Sequence, residues 1–118
     1  MTEALNKKYD LEERSFKFAQ RVNSYINKLP RTITGIENSK QLARSAGSIG
    51  ANYIEANESF SKKDFVMRTK ISRKETKETR YWLMLTEPTE VNLKERDLLI
   101  AESNELMKIF GAILEKCK

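Results

Sequence analysis

The stretch QLARSAGSIGANYIEANESFSKKDF, residues 41–65, decides how the rest of the chain folds. Leu42, Ala46, Ile49, Tyr53, Ala56 and Phe60 recur at steps of three and four, the spacing of one face of an α-helix. Immediately after them, Ser61 with Asp64 three residues on is a helix-start signature, a hydroxyl placed to accept a free backbone N–H of a first turn. One helix over 37–60 therefore gives way to another over 62–86 with a residue or two between them. So short a link forces the two into an antiparallel hairpin. Within the first of these helices, Gly47 and Gly50 each cost about 1 kcal/mol against Ala. Close approach of a neighbouring backbone, which a Cβ would block, explains their presence better than a kink.

The same signals recur on both sides. Upstream, Asp10 with Glu13 marks a start, and Leu11, Ser15, Phe18, Val22, Tyr25 and Leu29 form the apolar line of a helix over 10–29 that Pro30 ends. Thr34 with Glu37 opens the next helix. Downstream, Pro88 closes the third helix and Asn92 with Glu95 opens a fourth over 93–117. There Leu99, Leu106, Ile109, Ile113 and Cys117 recur on one side, widened by Leu98, Phe110 and Leu114. Four amphipathic helices joined by three short breaks give an all-α, antiparallel up-down-up-down four-helix bundle, a single domain over 1–118.

Composition agrees. A chain of 118 residues lies within the roughly 100–200 residues of one domain. Its 2 Pro and 4 Gly are too few for an all-β chain needing a turn every ~8–12 residues. The one Cys, Cys117, has no intrachain partner, the first residues show no signal-peptide pattern, and no apolar run approaches the ~18–20 residues of a membrane span. A cytoplasmic protein without membrane attachment is expected.

The third helix asks for two partners. One stripe runs Phe65, Ser72, Thr79 and Trp82, with Glu75 and Thr76 between; another runs Met67, Ile71, Glu78, Tyr81 and Leu85. A helix buried on one side needs only one such stripe. The first is expected to meet the core, and Met67, Ile71, Tyr81 and Leu85 to meet a second subunit. The inward stripe is polar at its middle, and a buried carboxylate must be paired. A structural network of Arg44, Ser48, Asn52, Glu55, Glu75 and Glu78 across the hairpin is expected, setting register rather than performing chemistry.

Catalytic groups are missing from the sequence. Glu55-x-x-Glu58 and Glu75-x-x-Glu78 resemble half of a di-metal bundle site, but such sites also use Glu-x-x-His pairs and the chain has 0 His. No base stands ready to activate a serine or Cys117, and no Gly-rich phosphate loop is present. The chain is expected to be no enzyme, with no metal and no cofactor. Charge is the remaining lead. Net charge is +5, and residues 61–87 alone hold eight Lys/Arg against four Asp/Glu. Lys63, Lys70, Arg73, Lys74, Lys77 and Arg80 form a broad outward arc of the third helix that suits the phosphates of a nucleic acid. The bland alternative is a solvated face with pairs such as Lys74–Glu78.

Residues 41–56 resemble the signature of one bacterial family, roughly Gln-x-x-Arg-x-Ala-x-Ser-Ile-Pro-Ala-Asn-Ile-Ala-Glu-Gly. Arg44, Ala46, Ser48, Ile49, Ala51, Asn52 and Glu55 match it in place; Gly50 stands where the pattern has Pro, and Ala56 where it has Gly. The segment from Arg73 to Leu83 is similar to the family's third helix, and the resemblance extends from Tyr9 to about Leu114. These are the small four-helix bundle proteins first noticed as products of intervening sequences in large-subunit ribosomal RNA genes, sometimes labelled S23 ribosomal proteins. The resemblance implies a homopentameric ring. It also implies kinship with the accessory variability protein of diversity-generating retroelements, a basic barrel that binds nucleic acid and a reverse transcriptase. The expected function is a non-enzymatic, homo-oligomeric accessory protein that binds RNA or DNA. The alternative is an oligomeric scaffold recruiting a protein partner without nucleic acid.

Overall fold

In the computed structural model four α-helices follow one another: α1 (Thr2–Ile26), α2 (Ile33–Asn57), α3 (Lys62–Leu85) and α4 (Leu93–Lys116), with one 3₁₀ turn at Glu90–Asn92. Residues 2–118 are described, 2–9 by their backbone alone, so Met1 of the expected domain lies outside the described residues. A helix of 25 residues spans about 37 Å, and the body measures 46 × 23 × 19 Å. Each helix thus runs most of its length, and short links make successive helices antiparallel. No described helix is long and apolar enough to cross a membrane.

Capping chemistry sets the boundaries and corrects several expected ones. Asp10 is no cap, because α1 continues back to Thr2, and it ends at Ile26 rather than residue 29. The α2 cap is Thr32, not Thr34: its Oγ1 accepts the Gly35 N–H at 3.0 Å, so the helix begins at Ile33. Gly35 suits that cap, since a Cβ there would lie 2.7 Å from the same oxygen. The α2 helix stops at Asn57, and the reversal through Glu58–Ser61 lifts Phe60 off the apolar line to 106% exposure. Ser61 caps α3 as expected, its Oγ accepting the Asp64 N–H at 3.1 Å. At α4, Asn92 occupies the cap position without a side-chain cap bond and donates instead to Thr89 Oγ1 at 3.2 Å.

The core comes unequally from the four helices. The α1 helix supplies Leu11, Phe18, Val22 and Tyr25; α2 supplies Leu42, Ala46, Ile49, Tyr53 and Ala56; α4 supplies Leu99, Leu106 and Phe110. From α3 comes Leu83 alone, while Thr69, Ser72, Glu75, Thr76 and Thr79 fill the rest of its buried face. Among the described residues the most extensive contact is nevertheless α2 with α3, and α1 with α4 is far thinner. Arg14 bridges that thin seam to Glu102 through two hydrogen bonds of 2.7 and 2.8 Å. Leu98, read as part of the α4 stripe, is exposed.

The glycines of α2 part company. A Cβ on Gly50 would stand 3.0 Å from Ser15 Oγ of α1, a true close approach, whereas one on Gly47 would meet nothing within 4 Å. Close packing explains Gly50 and not Gly47. Gly47→Ala should therefore raise stability by about 0.5–1 kcal/mol in urea unfolding. Gly50→Ala should gain less or lose stability, and the reverse order would contradict the α1–α2 contact.

Candidate nucleic-acid interface

Since an α-helix turns about 100° per residue, positions three or four apart share a face. Met67, Lys70, Lys74, Lys77, Tyr81 and Leu85 follow that spacing and form one outward ridge of α3, extended by Lys63 four residues before Met67. All of these residues are exposed. The cationic and apolar residues expected to do separate jobs therefore share one ridge. Arg73 and Arg80 sit on the flank toward α4: a Cβ on Gly111 of α4 would lie 3.9 Å from the Arg73 guanidinium, and Arg80 is half-buried. Arg80 Nε is buried and has no hydrogen-bond partner. Ile71, half-buried, lies off the ridge on the side of α2.

The inner side of α3 is tied to α2. Arg44 Nη1 donates to Glu75 Oε2 at 3.0 Å and Arg44 Nη2 to Glu78 Oε2. Trp82 Nε1 donates to the same Glu78 oxygen at 3.1 Å. Burial works against the Arg44 charge, but Glu75 and then Glu78 outweigh it and hold the guanidinium above the ordinary arginine pKa. Below this fork, Thr79 Oγ1 donates to Ser45 Oγ at 2.9 Å and Ser72 Oγ to the Ile49 carbonyl at 3.0 Å. Ser48 and Asn52 form a separate group: Asn52 Nδ2 donates to Ser48 O and Oγ, and Asn52 Oδ1 accepts from Arg68 Nη1 at 3.4 Å. Glu55 is exposed and its carboxylate takes part in neither group.

Two members of these groups, Trp82 and Arg68, were not read as network residues from the sequence. Both had a signal. Trp82 lies four residues after Glu78, and the hairpin register that sets Ser72 against Ile49 sets Arg68 against Asn52.

These ties determine the charge of the ridge. Within α3 only Asp64–Arg68 and Lys74–Glu78 have the i,i+4 spacing of an intrahelical ion pair. Neither forms, because Arg68 turns to Asn52 and Glu78 to Arg44 and Trp82. Among the described residues, no carboxylate lies within 4.0 Å of Lys62, Lys63, Arg68, Lys70, Arg73, Lys74, Lys77 or Arg80. All eight cations of α3 stand without an acidic partner among the described residues. The described residues contain no group of three or more His, Cys, Asp and Glu placed to hold a metal ion.

Residues 7–112 match the 23S rRNA-intervening sequence protein family. The chain belongs to that family. A similar crystal structure comes from Bacteroides thetaiotaomicron VPI-5482, a protein of unknown function from the S23 ribosomal protein family. It is 33% identical and superposes with a TM-score of 0.81 over 92% of this chain and 98% of its own. No curated protein matches. Members of the 23S rRNA-intervening sequence family can thus carry the four-helix fold over nearly their full length.

Unpaired like charges on one helix repel. Lys70, Arg73, Lys74, Lys77 and Arg80 stand three or four residues apart, and each such pair costs about 0.2–0.5 kcal/mol at low salt. Replacing Lys70, Lys74 and Lys77 together with Gln should raise stability by about 0.5–1.5 kcal/mol at low salt, with the gain fading as salt screens it. A loss of stability, or a gain indifferent to salt, would show that these lysines have partners after all.

Proposed function

We propose that this chain is a non-enzymatic, cytoplasmic, homo-oligomeric accessory protein that binds nucleic acid through the α3 ridge. The observation that carries it is the set of eight α3 cations without a carboxylate neighbour among the described residues, six of which (Lys62, Lys63, Lys70, Arg73, Lys74 and Lys77) are exposed. A solvated structural helix commonly interleaves its charges in i,i+4 pairs; this one leaves its cations free for phosphates and keeps its mid-helix acids inward. Self-association multiplies the effect, since each copy adds another +5. Exposed Met67 and Leu85 on the ridge, with Ile54 on α2, offer the apolar contact such an assembly needs. A pentamer is the arrangement that the family resemblance favours.

The same apolar residues support a second reading, an oligomeric scaffold that recruits a protein partner, a reverse transcriptase among the candidates, with the positive charge serving solubility. Charge reversal separates the two. The wild-type protein should run in solution as a multiple of 13.7 kDa and bind a generic RNA or DNA at low salt. Binding should fall about 1,000-fold between roughly 50 and 200 mM salt. Lys70, Arg73, Lys77 and Arg80 all changed to Glu should abolish that binding and leave the assembly intact. Absence of binding by the wild type at low salt would leave the scaffold as the function. A species that remains a monomer at high concentration would remove the oligomer from both.

A further inference from the structure

Tyr81 is the one aromatic residue on the cationic ridge. It follows Lys70, Lys74 and Lys77 at steps of four, three and four, and the residue is 56% exposed. A large aromatic ring in water at the end of a row of lysines forgoes stabilisation that burial would supply, so it calls for an explanation.

The ring is also held. Trp82 meets it edge-on, with centroids 5.1 Å apart and planes at 76°. The indole is itself fixed, because Trp82 Nε1 donates to Glu78 Oε2 at 3.1 Å and Glu78 is gripped by Arg44 of α2. A chain of contacts from α2 therefore ends in an exposed, oriented aromatic surface. Less freedom is lost when a flat ligand settles on a ring already fixed in place.

Granted the polyanion-binding role proposed above, we infer that the α3 ridge takes single-stranded rather than duplex nucleic acid, with an unpaired base stacked on Tyr81 and the adjoining phosphates on Lys70, Lys74 and Lys77. A duplex presents phosphates but keeps its base faces stacked inside, so the lysines can use it and Tyr81 cannot. A single strand satisfies both. Stacking on an aromatic side chain combined with a cationic track is the general way proteins hold unpaired strands, and it is tolerant of sequence because every base has a π face.

The chain carries its own reporter. Trp82 is the single tryptophan and touches Tyr81, so a base arriving on Tyr81 alters the indole's surroundings. The experiment titrates the full chain at low salt with a mixed-sequence single strand of roughly 16 nucleotides and with its duplex. Anisotropy of the labelled strand and Trp82 emission are followed together. The single strand should bind about tenfold or more tightly than the duplex, and only the single strand should change the emission. Tyr81→Ala should weaken single-strand binding about tenfold and leave the duplex unchanged, while Tyr81→Phe should stay within about twofold of wild type.

Helicity and Tm of each variant guard against misfolding, and the wild-type emission needs no variant. Equal affinity for the two forms, with silent emission and an indifferent Tyr81→Ala, overturns the stacking inference and leaves polyanion binding standing. Binding of neither form at low salt overturns the polyanion role itself, and this inference with it.

Discussion

The forked contact of Arg44 with Glu75 and Glu78 is the interaction on which the rest of the molecule depends. Glu75 is only 7% exposed, and a carboxylate so placed is costly unless it is paired and hydrogen-bonded. Arg44 supplies that pair from the neighbouring helix with one nitrogen and takes up Glu78 with the other. The consequence on the far side of α3 is electrostatic. Both mid-helix acids face α2, so the lysines of the ridge face water without them. One contact thus fixes how two helices meet and what charge one of them displays.

Around the fork lies an interface built from small hydroxyl residues. Thr69 and Thr76 each donate to the carbonyl four residues earlier in their own helix, at 2.8 Å, while Thr79 directs its proton to Ser45 Oγ. These buried hydroxyls therefore each have a partner and add little desolvation cost. Being short, they let α3 lie close to α2, whose facing residues Ser45, Ala46 and Ile49 are buried as well. Tight packing of short side chains yields many dispersion contacts without large apolar residues. That accounts for a most extensive helix pair in which one partner buries a single leucine. The α1–α4 pair is built oppositely, with the Arg14–Glu102 bridge spanning a thin seam above half-buried Phe65, Ile109 and Ile113.

The fold was legible because its signals are local. Helical spacing, Pro30, Pro88 and the Ser61 cap depend on residues a few positions apart, and these read correctly into four helices. Boundaries read less well where two hydroxyls compete for one cap, as Thr32 and Thr34 do; geometry favours the one whose oxygen meets the Gly35 N–H, which sequence alone does not show. Partners across the α2–α3 hairpin were half legible: Arg44 with its two glutamates followed from counterion need, but Glu55 has the same spacing and stands in water. Nothing in the sequence distinguished Gly47 from Gly50, since only the position of Ser15 on another helix does so. The ridge was legible as charge and as apolar residues, but not as one surface carrying both, because the lysines and Met67, Tyr81 and Leu85 were sorted by chemistry rather than by face.

A double-mutant cycle on Arg44→Met and Glu75→Gln, read by urea unfolding, tests most directly whether the α2–α3 tie holds the molecule as described. Coupling of about 1 kcal/mol or more between the two substitutions is predicted, because either one alone removes the same buried pair. Effects that add to within about 0.3 kcal/mol would mean that Arg44 does not hold Glu75 in solution. The bare cationic ridge would then lose its structural cause.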